Sequence, residues 1–252
     1  MALIDVALFG LPGLAIFALQ MLWIPFWAAG IINGLGHFWG YRGYETSDAS
    51  TNILPWGILI GGEELHNNHH AYAASARLSS KWWEIDLGWI YIRFLALCRL
   101  ARVRRLAPRA VSKKGSQRID SDTVRAVVSH RFYILKRYSQ IVLRPALREA
   151  RRNTDQMGRQ LIRRAKKLMT REDIKPDVGA AETIERVLQQ DKTLATIYQF
   201  KQQLKEVWTR GAKGQPGRVE RLQAWCAASE QSGILALEEF AAFLRGYRLQ
   251  NT

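Results

Sequence analysis

The chain has 252 residues, room for one large domain or two small ones, and combines a net charge of +15 with 48% hydrophobic residues. Residues 1–70 carry one basic side chain against five acidic ones, a net of −4, so the remaining 182 residues carry +19. An apolar beginning followed by a basic remainder indicates a membrane segment joined to a region on the inner side. Cys98 and Cys226 form no CxxC motif, and no P-loop or nucleotide-binding glycine motif occurs, which excludes those classes.

The first predicted element is an apolar run in which Asp5 is the only charge between residues 2 and 32. A signal peptide needs a basic start and a small-residue cleavage site, which this run lacks, and the run is longer than the ~20 residues that cross a bilayer. Because Pro12-Gly13 breaks it, we expect a short apolar lead-in at 2–9 and one transmembrane helix at about 13–34. Positive charge follows only after this helix, so the downstream side is predicted to be cytoplasmic.

One arc of the predicted transmembrane helix carries aromatic, glycine and polar residues. Trp23, Phe26 and Gly30 are predicted to form the wall of a substrate cavity that leads to Asn33 and His37. The glycines, taken alone, equally favour ordinary close packing of helices. The two polar residues at the membrane edge favour a functional site, because polar groups at that depth need partners.

Three of the five histidines fall within five residues, in the segment 62–70. On a helix, His66, His69 and His70 share an arc of roughly 100°, so their imidazoles can converge on one point. Together with His37 they form a nitrogen-rich ligand set, which suits iron better than magnesium or calcium, while zinc remains open on ligand type. The neighbouring carboxylates of Glu63 and Glu64 are expected to support the ligands by accepting a ring N–H, and Asn67 is expected to lie next to the ligands.

Downstream, a segment at about 82–98 is rich in Trp and Tyr and predicts a helix at the membrane interface. A basic string at 99–105 suits anionic headgroups. From residue 119 we expect a basic, soluble, helical tail, with helices at 123–152, 154–170, 181–209, 218–232 and 237–246 and a linker at 211–217. The basic face between Arg144 and Arg171 is compatible with nucleic-acid binding. A charged helix that faces solvent or the membrane is favoured, and no nucleic acid is expected. His130 is predicted to be exposed.

At these residues the sequence resembles the membrane-bound fatty acyl-CoA desaturases, of the stearoyl-CoA desaturase type and its bacterial branch. One match is Asn33-Gly-Leu-Gly-His37, the family's N-x-x-x-H near the end of its last membrane helix. The other is the segment from Gly62 to His70, which contains the third histidine box H-N-x-H-H and its upstream G-E. The segment 82–89 is similar to the bacterial branch, and the resemblance extends through the basic tail.

The resemblance implies an all-α integral membrane protein of the bacterial inner membrane, with the C-terminal part of a desaturase domain at 1–118 and a cytoplasmic tail at 119–252. In the family, two non-haem irons use O₂ to insert a cis double bond into a long acyl chain. By position, His37, His66, His69 and His70 would bind iron, and Asn33 would hold a metal-bound water. The implied partners are an acyl substrate, the lipid bilayer and an electron donor such as a ferredoxin or cytochrome.

The family's H-x₄-H and H-x-x-H-H boxes do not occur in this sequence. Five of the usual nine histidines are missing, so we expect a chain that is truncated and inactive alone, and an upstream fragment that carries the others. One rival is a related histidine-rich di-iron membrane hydroxylase, which would yield an alcohol in place of an alkene. Another is a non-catalytic, membrane-anchored remnant, which would bind no iron.

Overall fold

The computed structural model describes residues 1–112, 118–174, 177–209 and 215–250, which are mostly helical, as predicted. They form two compact units, Met1–Ala107 and Pro108–Thr252. The first unit therefore ends before the predicted boundary at residue 118. The reason is a two-stranded antiparallel sheet, in which β3 (Ala110–Ser112) pairs with β4 (Tyr247–Leu249) and attaches this stretch to the second unit. The strands among the described residues are only two or three residues long.

The first unit begins with helices α1 (Ala2–Phe9) and α2 (Pro12–Pro25). Gly10 separates them at φ 64°, a left-handed conformation that costs glycine little. Pro12 lies in the first turn of α2, where its missing N–H removes no hydrogen bond. These two residues explain why the sequence locates the break between the helices.

A π-helical segment, Phe26–Leu35, continues α2 directly after Pro25. Proline cannot donate the α-helical hydrogen bond, so the change of hydrogen-bond register has a local cause. The combined helix, Pro12–Leu35, is long and apolar enough to cross a membrane, and it is the one such helix in the part of the chain that the structure describes. Only 6% of its most apolar stretch is buried.

Short elements surround the histidine-rich segment, which forms helix α3 (His66–Ala71). Strand β1 (Trp56–Gly57) pairs in parallel with β2 (Ile85–Asp86), and helix α4 (Leu87–Leu97) follows. The interfacial helix predicted at about 82–98 therefore starts later than expected. Residues 82–86 form a turn and a strand, and the Asp86 carboxylate caps α4 by accepting the Trp89 N–H.

The second unit packs its helices around one apolar core that includes Tyr138, Trp225 and Phe240. Its helices, in chain order, are α5 (Ser121–Ser129), α6 (Arg131–Tyr138), a π-helical turn (Ser139–Leu143), α7 (Arg144–Arg152), α8 (Gln156–Thr170), α9 (Val178–Gln190), α10 (Lys192–Glu206), α11 (Gln215–Glu230) and α12 (Leu235–Arg245). The linker predicted at 211–217 lies partly outside the described residues, and its last residues belong to α11.

Aspartates begin several of these helices and correct two predicted boundaries. Asp120 caps α5 in a reciprocal arrangement with Thr123, so this helix begins at Ser121 and not at the predicted residue 123. Asp191 accepts the Leu194 N–H and starts α10, which divides the helix predicted at 181–209. Both corrections follow from one rule, that a carboxylate at the first position satisfies a backbone N–H the helix leaves unpaired.

His130 corrects a third prediction, because it is buried and divides the helix expected at 123–152 into α5 and α6. Its Nε2 lies 2.8 Å from the Pro108 carbonyl oxygen, which can only accept, so Nε2 carries the proton. Its Nδ1 then accepts from the Tyr247 hydroxyl at 2.7 Å. Burial lowers the pKa of His130 and outweighs the opposing effect of the Pro108 carbonyl.

Candidate metal centre

Three histidines from two parts of the first unit meet at one point. Helix α3 places His66 and His70 one turn apart, and His37 follows the π-helical segment. Each of the three offers one ring nitrogen as a ligand atom, and these nitrogens all lie within 4.8 Å of one another. The Nε2 atoms of His37 and His66 are 3.1 Å apart. Gly36 permits this approach, because a Cβ there would lie 3.1 Å from the His66 ring and would clash with the Ile32 carbonyl.

His69 lies beside this group and not within it. Its ring centroid is 6.3 Å from that of His66 and 5.8 Å from that of His70, whereas the centroids of His66 and His70 are 4.4 Å apart. His69 is partly exposed. The structure thus brings together three of the four histidines that the sequence groups, with the fourth at the edge of the cluster.

The donor set of the three histidines fits a transition-metal ion. Two ligands at about 2.0–2.1 Å from one metal lie roughly 2.9–3.4 Å apart at ordinary coordination angles, which includes the 3.1 Å between His37 and His66. The buried Nδ1 of His66 has no hydrogen-bond partner among the described residues, so this ring keeps an unsatisfied nitrogen. Burial, followed by the nearby His70 and His37, lowers the pKa of His66 to about 4, which leaves its ring neutral and able to donate a lone pair.

A carboxylate orients His70, and it is Asp48. Asp48 Oδ2 lies 2.9 Å from His70 Nδ1. Burial raises the pKa of Asp48, but hydrogen bonds with Ser50 and His70 outweigh burial and hold the pKa well below its usual value. The carboxylate is therefore ionised and accepts Nδ1–H, which fixes the ring so that Nε2 remains available to a metal. The sequence reasoning missed Asp48, which stands 22 residues away in a loop.

The two carboxylates predicted to support the histidines, Glu63 and Glu64, do not contact a histidine ring among the described residues. Glu64 accepts backbone N–H groups of Leu59 at 2.6 Å and Ile60 at 3.1 Å, so it closes the turn before α3. Glu63 makes no hydrogen bond to a histidine among the described residues, and its side chain is partly exposed. Neither glutamate contacts a histidine ring among the described residues, and their role as acceptors of a ring N–H stays a prediction.

Two asparagines of α3 fasten the helix to its surroundings. Asn67 accepts the Tyr44 N–H at 2.8 Å and donates to Thr46 at 3.2 Å and Ser50 at 3.3 Å, which holds the loop that carries Asp48. Asn67 thus supports the ligands indirectly, through this loop. Asn68 donates to Glu84 Oε2 at 2.9 Å on the other side of the helix. Both asparagines are buried, so breaking these bonds would leave polar groups unsatisfied.

The remaining predicted site residues lie on the apolar helix. Asn33 is exposed and has no hydrogen bond to the histidines among the described residues. Trp23 is 59% exposed and Phe26 is 61% exposed. A Cβ at Gly30 would meet nothing within 4 Å. These residues form an open face in the structure, and their role as the wall of a substrate cavity remains a proposal.

Part of the chain is similar to fatty acid desaturases. It is 45% identical over 71 residues to Delta-9 acyl-lipid desaturase 1 of Arabidopsis thaliana, covering 28% of this chain and 23% of that protein. It is 46% identical over 77 residues to the sn-1 stearoyl-lipid 9-desaturase of Synechocystis sp., covering 31% and 24%. The corresponding protein of Anabaena variabilis is 39% identical over 88 residues, covering 35% and 32%. The chain spans about a quarter to a third of the length of these relatives.

The second unit has a different similarity. The family model DDE_Tnp_ISL3, described as a transposase, matches residues 117–250. The prediction that the desaturase resemblance extends through the basic tail is therefore wrong, because that region matches another family. No solved structure matches the chain.

Proposed function

Residues 117–250 belong to a transposase family, and part of the chain is similar to fatty acid desaturases. From this similarity we propose that the first unit contributes a portion of the iron site of a membrane fatty acid desaturase. The observation that carries this proposal is the convergence of His37, His66 and His70. It is independent of the sequence identities, because the three rings come together only in the folded chain.

His37, His66 and His70 would hold the metal directly, with His69 at the edge of the cluster and Asn33 acting through a water. Bound iron would supply the O₂-dependent removal of two hydrogens from adjacent methylenes of an acyl chain. The chain's own residues set the ligands in place. Asp48 fixes the His70 ring and its tautomer, and the loop held by Asn67 fixes Asp48. Zinc remains the alternative on ligand type alone.

The setting we propose is a bacterial inner membrane, with Pro12–Leu35 spanning it and the basic remainder on the cytoplasmic side. Trp23, Phe26 and Gly30 then face lipid or a partner segment that completes an acyl tunnel. A ferredoxin or a cytochrome would deliver electrons, and its acidic surface would be attracted to the basic tail in a salt-dependent way.

The chain by itself is proposed to be inactive. A two-metal centre needs more ligands than the four histidines of the first unit provide, and a half-filled site would exchange iron with solvent. The missing ligands would come from a segment that carries the H-x₄-H and H-x-x-H-H boxes.

The test is fatty-acid analysis of membranes from a host that lacks desaturases. The chain alone is expected to yield no monounsaturated acyl groups, and co-expression with a fragment that bears the two boxes should produce them. His66→Ala should abolish the product, whereas His130→Gln, in the second unit, should not. Monounsaturated product from the chain alone would contradict its proposed inactivity, and a hydroxylated product would favour the hydroxylase.

The transposase match favours a second candidate function for the second unit alone, namely phosphodiester chemistry on DNA. Enzymes of that kind commonly hold divalent metals with clustered carboxylates. The described residues offer no such group, since the histidine cluster is the only set of three metal-binding side chains found among them. The two candidates concern different units of the chain, and a plasmid-nicking assay with Mg²⁺ tests the second one.

A further inference from the structure

Four arginines of the second unit line a pocket of about 380 Å³. Arg148, Arg151 and Arg152 come from α7, and Arg159 comes from α8. We call these four residues the arginine pocket. The pocket is an open concavity at the protein surface, because all four side chains are exposed.

The local sequence explains why the four side chains converge. Residues 148, 151 and 152 stand at i, i+3 and i+4, so they share one face of α7. The turn into α8 is tight at Gly158, where a Cβ would clash with Thr154. Arg159 follows at once, and its Nε donates to the Thr154 carbonyl oxygen at 3.2 Å. The turn therefore aims the fourth arginine at the other three.

The positive charge of the pocket is not neutralised within the described residues. None of the four arginines forms an ion pair there, and all four are exposed. The acidic residues nearest in sequence are Glu149 and Asp155, and Asp155 accepts the Gly158 N–H as the cap of α8. Between residues 144 and 171 the chain has ten basic and two acidic residues. Like charges at these spacings destabilise a helix, so a bound anion would relieve the repulsion.

We propose that the arginine pocket binds a compact anion with two or more phosphate groups, such as a pyrophosphate moiety. Guanidinium groups match phosphate oxygens in pairs, and several forks in one concave site favour a small, multiply charged ligand over a single charge. The evidence for this binding site is its geometry and its charge, and the site is independent of the proposed desaturase function.

Two other phosphate sources are less well matched. Helices that bind a membrane surface insert large apolar side chains, and Met157 is the only such side chain exposed between residues 144 and 171. A nucleic-acid strand is extended and engages basic residues along a line. Such a line exists on α8, at Arg163, Arg164 and Lys167, outside the arginine pocket. These residues provide a matched control of equal charge.

The test is isothermal titration of the full chain in a non-ionic detergent with sodium pyrophosphate, at constant ionic strength. Arg148→Gln/Arg152→Gln should weaken pyrophosphate binding by at least about tenfold, because it removes two forks. Arg163→Gln/Arg164→Gln removes the same charge outside the pocket and should weaken binding by less than about twofold. Arg151→Lys keeps the charge but not the fork and should fall between them. Circular dichroism checks that each variant is folded.

Orthophosphate, a short DNA duplex and phosphatidylglycerol vesicles complete the comparison. The proposal expects orthophosphate to bind more weakly than pyrophosphate, and expects duplex or vesicle binding to respond equally to both double variants. Equal loss of pyrophosphate binding in both double variants would show general charge attraction and overturn the proposal. The absence of pyrophosphate binding would also overturn the proposal. So would duplex or vesicle binding that only the Arg148→Gln/Arg152→Gln variant weakens, if pyrophosphate does not bind.

Discussion

The two units hold their important residues by opposite means. In the first unit, α3 buries His66, Asn67 and Asn68, and directional hydrogen bonds to loops fix the two asparagines. In the second unit, aromatic rings meet in an apolar core, with Tyr138 and Phe240 5.0 Å apart between centroids. The first unit therefore specifies the geometry of a few polar groups, whereas the second unit derives its stability from a filled apolar core.

The strongest way to sharpen this contrast is to empty the core of the second unit. Phe240→Ala should lower the free energy of unfolding of that unit by about 3–5 kcal/mol, because it removes a fully buried ring and leaves a cavity. Urea unfolding of the full chain, followed by hydrogen exchange of second-unit amides, measures this loss. Leu235→Ala, at a position that is 68% exposed, should change stability by less than about 0.5 kcal/mol. Equal effects would mean that the core does not carry the stability.

The second unit contains one polar exception that tests the contrast from within. Lys201 is buried and contacts Glu172 at 2.7 Å, and Lys205 contacts the same carboxylate at 2.6 Å. Glu172→Gln should destabilise this unit by about 3 kcal/mol, because it leaves a buried ammonium without its counter-charge. Glu182→Gln breaks an exposed pair with Arg186 and should cost under about 1 kcal/mol.

The same pair predicts a pH dependence. Burial raises the pKa of Glu172, but the charges and hydrogen bonds of Lys201 and Lys205 together outweigh burial and hold the folded-state pKa below its usual value. A lowered folded-state pKa means that the stabilisation is complete above the unfolded-state pKa of about 4.3 and is lost as the pH falls through the folded-state pKa. The stability difference between the wild-type chain and Glu172→Gln should therefore shrink on acidification. A difference that widened in acid would reverse this assignment.

In the first unit, a change of geometry should matter more than a change of volume. Asp48→Asn preserves the size of the side chain but removes the charge that accepts His70 Nδ1–H. We expect iron affinity to fall about 10–100-fold, with little loss of fold stability. Competition with a chelator measures the affinity. Glu63→Gln removes a neighbouring carboxylate without a histidine contact in the described structure, so an equal loss there would contradict the role of Asp48.

The smallest expected effect concerns an aspartate of the second unit with only a local task. Asp177 accepts the Ala180 N–H at 2.7 Å at the start of α9. Asp177→Ala should cost about 1 kcal/mol of stability and leave iron affinity unchanged. A loss of iron affinity in this variant would contradict the assignment of iron binding to the first unit alone.

Local signals allowed much of the fold to be predicted. Pro12-Gly13 predicts the break between α1 and α2, and the spacing of His66 and His70 predicts a helix with both rings on one face. The division at Asp191 was also readable, since Asp before Lys-Thr-Leu is a helix-start pattern that the long apolar period concealed.

Contacts between distant residues could not be predicted. His130 is buried, and its Nδ1 forms a hydrogen bond with the hydroxyl of Tyr247, which is 117 residues away. Asp48 reaches His70 through a loop whose course depends on Asn67. His69 lies on the same predicted arc as its neighbours, yet His37 approaches the cluster from the side of His66 and His70. Periodicity locates a face of a helix but does not say what packs against it.

Iron K-edge X-ray absorption of the iron-loaded full chain would report directly on the proposed centre. We expect imidazole scattering from three histidines, with iron–nitrogen distances of about 2.0–2.2 Å. His37→Ala should remove one imidazole from this spectrum, because His37 comes from a separate element and meets the α3 histidines only in the folded chain. An oxygen-only shell, or a spectrum that His37→Ala leaves unchanged, would contradict the metal centre.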